Sequence, residues 1–212
     1  MECIQEHAKK QEKLEIMIDD SCESPREWDN LTIIVALKNY HYNIGDIQVN
    51  NSEELRQILE DKKAKYAIPL YMYDHGGLSL KCFEDKTMVS YPFDDQWDAG
   101  CIGMVFTTEE LLKDTGLTHM TKNEVINQMK AEVNVYSSWC NGECYGFRLS
   151  KVSDCDKCNQ TVEQEIDSCY GFYGSNHETS GLYDAVLENS KVFKSYSDIE
   201  EYRAYYETTA YI

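Results

Sequence analysis

Apolar residues alternate at Leu14, Ile16 and Ile18 within Glu12–Asp19, the period-two signature of a half-buried strand. A polar loop at Asp19–Pro25 precedes the apolar run Leu31–Leu37, which is β-rich in composition, with a helical turn left open. Ala67–Tyr73 and Leu78–Phe83 flank Gly76-Gly77 and predict a hairpin. Pro69 favours a strand start or a sheet edge. Gly100–Phe106 reads as a further strand. Elsewhere the spacing turns helical. Leu55, Ile58 and Leu59 share one face of Glu53–Glu60, and Thr107-Thr108 caps a short helix at Glu109–Lys113. Thr121 opens the longest helix, about residues 122–138, with Val125, Ile126, Met129, Val133 and Tyr136 as its stripe. Near the end, Tyr202, Tyr205 and Tyr206 form a stripe on a helix over 198–209, read as a face packed on the domain.

One short repeat stands out: Cys144-Tyr-Gly-Phe147 recurs as Cys169-Tyr-Gly-Phe172. Both copies lie in β-like segments, 143–153 and 162–173, around a polar loop. An antiparallel hairpin would set Tyr145 opposite Tyr170 and Gly146 near Cys169, so that the copies pack on each other. These elements predict an α+β fold of five to seven mostly antiparallel strands with three or four packed helices. Only three prolines occur and no Pro/Gly/Ser-rich linker interrupts the chain. A single domain over 1–212 is expected, with 1–11 as a helix or arm and 176–212 as a Tyr-rich helical tail.

Charge changes this picture most. The 38 acidic residues against 20 basic ones give a net −18. Such a balance argues against a protein that holds nucleic acid on its own surface, which needs clustered Lys and Arg. It fits a basic partner found by electrostatic steering. No signal-peptide run begins the chain, and no stretch nears the roughly 18 apolar residues of a membrane span. A cytoplasmic location is therefore expected, with the nine cysteines as thiols or metal ligands.

Four of those cysteines, Cys140, Cys144, Cys155 and Cys158, have a zinc-like spacing. An extended segment between Cys144 and Cys155 spans roughly 35 Å at about 3.3 Å per residue, too far for one tetrahedral ion. No metal site and no cofactor are assigned. Asp74-His75, at a strand end before Gly76-Gly77, is the best catalytic candidate. With Asp98 in a nearby loop it would serve a metal-dependent hydrolase. The competing reading is that Asp74 and His75 satisfy backbone groups of the turn.

Several loops carry a family likeness. Ser24-Pro-Arg-Glu-Trp-Asp-Asn-Leu31, Tyr40 to Gly45-Asp46, Tyr73-Asp-His-Gly-Gly77, Tyr91–Gly100 with Gly103, and Asp167–Gly174 resemble motifs of a family of small phage- and plasmid-encoded proteins. The likeness covers about residues 12–175. Asp95 stands where that family usually has cysteine, and Gly76 where it has serine. The resemblance implies a bacterial host and an inhibitor of host defence, of the anti-CRISPR or antirestriction kind. On the residues alone, Trp28 and Trp97 read as anchors whose indoles pack into the core, and Gly100 and Gly103 as points of close backbone approach. The expected function is an acidic inhibitor that occupies the basic nucleic-acid channel of a Cas effector or restriction enzyme. Its partner-binding candidates are Asp19, Asp20, Glu23, Asp94, Asp95, Asp198, Glu200, Glu201, Tyr202 and Tyr205. The alternative is a metal-dependent nuclease or hydrolase acting on guide RNA or nucleotides through Asp74, His75 and Asp98.

Overall fold

A computed structural model describes residues 12–39, 41–84, 92–93, 98–154 and 161–209. Among them are eight strands and five α-helices in two mostly antiparallel sheets, an α+β fold as expected. The element count exceeds the expectation because β3 has only three residues, too few to show a period, and the tail holds two helices rather than one. The chain divides into two compact units. One comprises Glu23–Asn141, and the other joins Met1–Cys22 to Gly142–Ile212.

The Glu23–Asn141 unit holds β2 (Ile33–Leu37), β3 (Ile47–Val49), α1 (Ser52–Asp61), β4 (Tyr66–Asp74), β5 (Leu78–Cys82), β6 (Ala99–Thr107), α2 (Glu109–Asp114) and α3 (Lys122–Cys140). Its sheet runs β3-β2-β6-β4-β5, with only β2 and β3 parallel. Thr121 and Glu124 form a reciprocal capping box at the start of α3. The α3 stripe of Val125, Met129, Val133 and Tyr136 packs on Ile34, Ile68, Leu70 and Val105. On the opposite sheet face Val35, Val49 and Phe106 meet Leu55, Ile58 and Leu59 of α1. Both faces of β2 are therefore covered, which explains its unbroken apolar run. Gly103 lies against β2: a Cβ there would sit 2.1 Å from the Val35 carbonyl oxygen. Gly100 differs from expectation, since a Cβ there would meet nothing within 4 Å. Pro69 lies inside β4 where the pairing with β5 ends: its carbonyl accepts the Phe83 N–H at 3.2 Å, and the reciprocal bond is the one its missing N–H forgoes.

In the other unit β1 (Glu12–Ile18), β7 (Cys144–Asp154) and β8 (Thr161–Tyr173) form a sheet ordered β1-β7-β8. Helices α4 (Leu182–Asn189) and α5 (Tyr196–Thr209) complete it. Leu14, Phe147 and Leu149 pack with Leu182, Tyr183, Val186, Phe193, Ile199 and Tyr202. The repeated segments do pair, but Tyr145 faces Phe172 rather than Tyr170. A bulge between Tyr145 and Phe147 shifts the register, and Gly171 there adopts φ 86°. The Tyr170 ring instead lies over Gly146, in the space a side chain there would need.

His177 is buried in this unit, with Tyr145 edge-on at 4.7 Å and Tyr183 at 5.7 Å between ring centroids. Its Nδ1 has no hydrogen-bond partner among the described residues. Burial holds its pKa below the ordinary 6.5, and the positive charge of Arg203 lowers it further. The unfolded chain therefore takes up the proton more readily than the folded one. Stability is complete above about pH 6.5 and falls as pH drops below it. Thermal melts at pH 7.5 and 5.5 should show a lower midpoint in acid, and His177→Phe should reduce that difference.

Candidate functional site

The turn from β4 to β5 brings Asp74, His75 and Asp98 together. The Asp74 N–H donates to the Asp98 carbonyl at 3.0 Å, extending the β4–β6 pairing past Tyr73–Ala99. Asp98 then lies beside His75, with Oδ2 2.8 Å from Nδ1. Tyr73 stacks on His75 at 6.1 Å and on Phe93 at 5.3 Å between ring centroids. Asp74 serves another partner: its Oδ1 accepts the Tyr42 hydroxyl at 3.0 Å, which raises the phenol pKa. A carboxylate at this distance orients an imidazole, but the His75 side chain is 69 % exposed and water screens the pair. Among the described residues no three His, Cys, Asp or Glu side chains converge as a metal-ligand set.

A second site lies at the Ser24–Leu31 loop. Pro25–Glu27 form one 3-10 turn, capped by the Ser24 hydroxyl, which accepts the Arg26 N–H at 3.2 Å. The Asn30 amide donates to the carbonyls of Pro25 and Trp28, both at 2.8 Å, and ties the loop down. The turn sends Arg26 inward. Its guanidinium grips Asp46 with Nε at 3.0 Å and Nη2 at 2.6 Å, and donates to the Thr32 hydroxyl and carbonyl. Glu132 of α3 accepts the N–H groups of Leu31 and Thr32 at 2.9 and 3.1 Å. Asp46 accepts the Ile34 N–H at 2.7 Å.

Trp28 is sent the other way. It is 47 % exposed, so its indole does not pack into the core as its size led one to expect. Pro25 is the buried residue of this turn, and Arg26 takes the inward place beside it. Trp28 instead borders a cleft of about 690 Å³, with Arg26, Asp29, Asp46, Leu111 and Asp114 among its lining residues.

The remaining candidates separate by burial. Asp20, Glu23, Glu200 and Glu201 are exposed, and Tyr205 is 38 % exposed. Asp19 is buried and accepts the N–H and hydroxyl of Ser21, so it shapes its loop and presents no surface. Asp198 accepts the N–H groups of Lys194 and Ser195 at the start of α5. Tyr202 is a core residue whose hydroxyl accepts the Leu14 N–H at 3.3 Å. Glu200 accepts the Tyr183 hydroxyl and lies 3.5 Å from Arg203. Asp94, Asp95 and Trp97 lie outside the described residues, as do Cys155 and Cys158. Burial pushes the Cys140 thiol up to about 11. Burial, then a hydrogen bond with Cys22, pushes Cys144 up to about 12. Both stay protonated at neutral pH, the less reactive form.

No family model, curated protein or solved structure matches the chain. Among the described residues, no helix is long and apolar enough to cross a membrane.

The Arg26 network escaped the sequence reading, although Arg26 and Asp46 both sit in motifs already singled out. Glu132 gives a signal in retrospect: it adjoins Val133 on the buried stripe of α3, where an acid needs a partner. Arg26→Leu should cost about 3 kcal/mol, the low end of the range for breaking a buried pair, because Asp46 keeps some access to water. Urea denaturation should show this as a lower midpoint, with Asp29→Asn close to the parent protein.

Proposed function

We propose that the protein is an acidic inhibitor of a host nucleic-acid-targeting defence complex, of the anti-CRISPR or antirestriction kind. Its surface carboxylates take the place of phosphates in a basic channel. The observation that carries this reading is the net charge of −18 combined with exposed Asp20, Glu23, Glu200 and Glu201. Carboxylates and phosphates are alternative partners for Arg and Lys, and a partly exposed tyrosine such as Tyr205 adds rigid contact area. The resemblance of several loop motifs to those of phage- and plasmid-encoded proteins supplies the setting.

A second reading, metal-dependent cleavage of RNA or nucleotides, draws on the 2.8 Å contact between His75 and Asp98. The two readings separate cleanly. Pull-down with Cas effectors and restriction complexes should retain a partner at low salt and release it as salt rises. Neutralising Asp20, Glu23 and Glu201 together should weaken capture about tenfold and flatten its salt dependence. Absence of any retained partner would refute inhibition by binding. Cleavage of guide RNA with Mg²⁺ or Mn²⁺, lost in His75→Ala, would favour the enzyme instead.

A further inference from the structure

We infer that the cleft beside Trp28 receives a guanidinium group, presented by an arginine of a basic partner. The inference rests on the inhibitor reading and names the chemistry that one of its surfaces would recognise. Three observations meet here. First, the cleft is a concave space of about 690 Å³, large enough for a side chain and its water. Second, its border carries an indole that is 47 % exposed on a loop fixed at two carbonyls by Asn30. An aromatic face held in place at the surface is the preferred platform for a planar cation. Third, the walls are unbalanced in charge: Asp29, Asp46 and Asp114 face the single cation Arg26.

Arg26 does not fill the role itself. Its guanidinium is committed to Asp46 and Thr32, and that pair leaves little charge to offer. Among the described residues no ion pair engages Asp29 or Asp114. An entering guanidinium would stack on Trp28 and donate to these carboxylates. Lysine fits less well, because its ammonium is a compact point charge without a planar face. The 3-10 turn that seats Arg26 and displays Trp28 therefore links the folding of this unit to recognition.

The test is an NMR titration of the full chain with N-acetyl-arginine amide, following the Trp28 indole N–H, which is assigned by its absence in Trp28→Phe. The expected result is a saturable shift that N-acetyl-citrulline amide, the neutral isostere, does not produce. Asp29→Asn with Asp114→Asn should weaken the arginine probe at least fivefold while the rest of the spectrum stays folded. If the double variant loses its native spectrum, each single variant and a salt titration of the parent give the same comparison. A shift that does not saturate, that citrulline matches, or that survives neutralisation of both aspartates would overturn the inference. Effector capture separates this outcome from the parent reading. Capture retained when both aspartates are neutralised, with no saturable probe binding in the parent protein, removes the cleft and leaves inhibition standing. Saturable arginine binding with no effector captured keeps the cleft and removes inhibition.

Discussion

The guanidinium of Arg26 is the hinge of the Glu23–Asn141 unit. Its side chain is only 9 % exposed, and its donors meet Asp46 in a two-point grip. Asp46 in turn accepts the Ile34 N–H and donates its own N–H to the Ile34 carbonyl at 2.9 Å. Glu132 holds the two residues before β2 from the side of α3. Two loops and a helix are thereby locked to the start of one strand. Buried charge of this kind stabilises only when every partner is present, which makes it a device for a single geometry rather than a source of net stability.

The outward side of the same device is what a partner would meet. In the Pro25–Glu27 turn Pro25 is buried and the Arg26 side chain also points inward, 9 % exposed. Trp28, which caps the turn, is left at the surface. Hydrophobicity alone assigns Trp28 to the core; in the structure the inward side of this loop holds Pro25 and Arg26 instead. At the β4–β5 turn the balance differs. Asp74 is tied to Tyr42 while His75 and Asp98 pair with each other, so proximity does not become a three-residue ligand set among the described residues.

Elements with a sustained period were readable from the chain. Leu14 and Ile16 in β1, the stripe of α3 and the β4–β5 hairpin all followed from alternation or helical spacing, because burial on one face imposes that period directly. What escaped has no period. β3 is three residues long, and Gly181, which precedes α4, offers no side-chain cap to announce it. The register of β7 on β8 was misplaced because a bulge with Gly171 at positive φ is invisible to pattern matching. At the site, the place of Asp74 and His75 at a strand end was legible from the Gly76-Gly77 turn, while Asp98 reaches them through the β4–β6 pairing. Burial was legible in part: the tyrosine stripe packs at Tyr202 as its spacing suggests, whereas Asp19, a surface residue by type, is buried and accepts Ser21.

The chain path adds a matter of timing. β1 is made first but pairs with β7, for example Lys13 with Ser150, and the whole Glu23–Asn141 unit is spelled out between them. At about 5–20 residues per second a ribosome takes on the order of ten seconds to supply the partner strand. By the end of that interval the inserted unit has every residue it needs, while β1 waits without the strand that covers Leu14 and Ile16. Glu12, Glu15, Asp19 and Asp20 in and beside that stretch are charges of the kind that disfavour pairing between exposed strands. Some of the negative charge thus lies where an unpaired strand needs it.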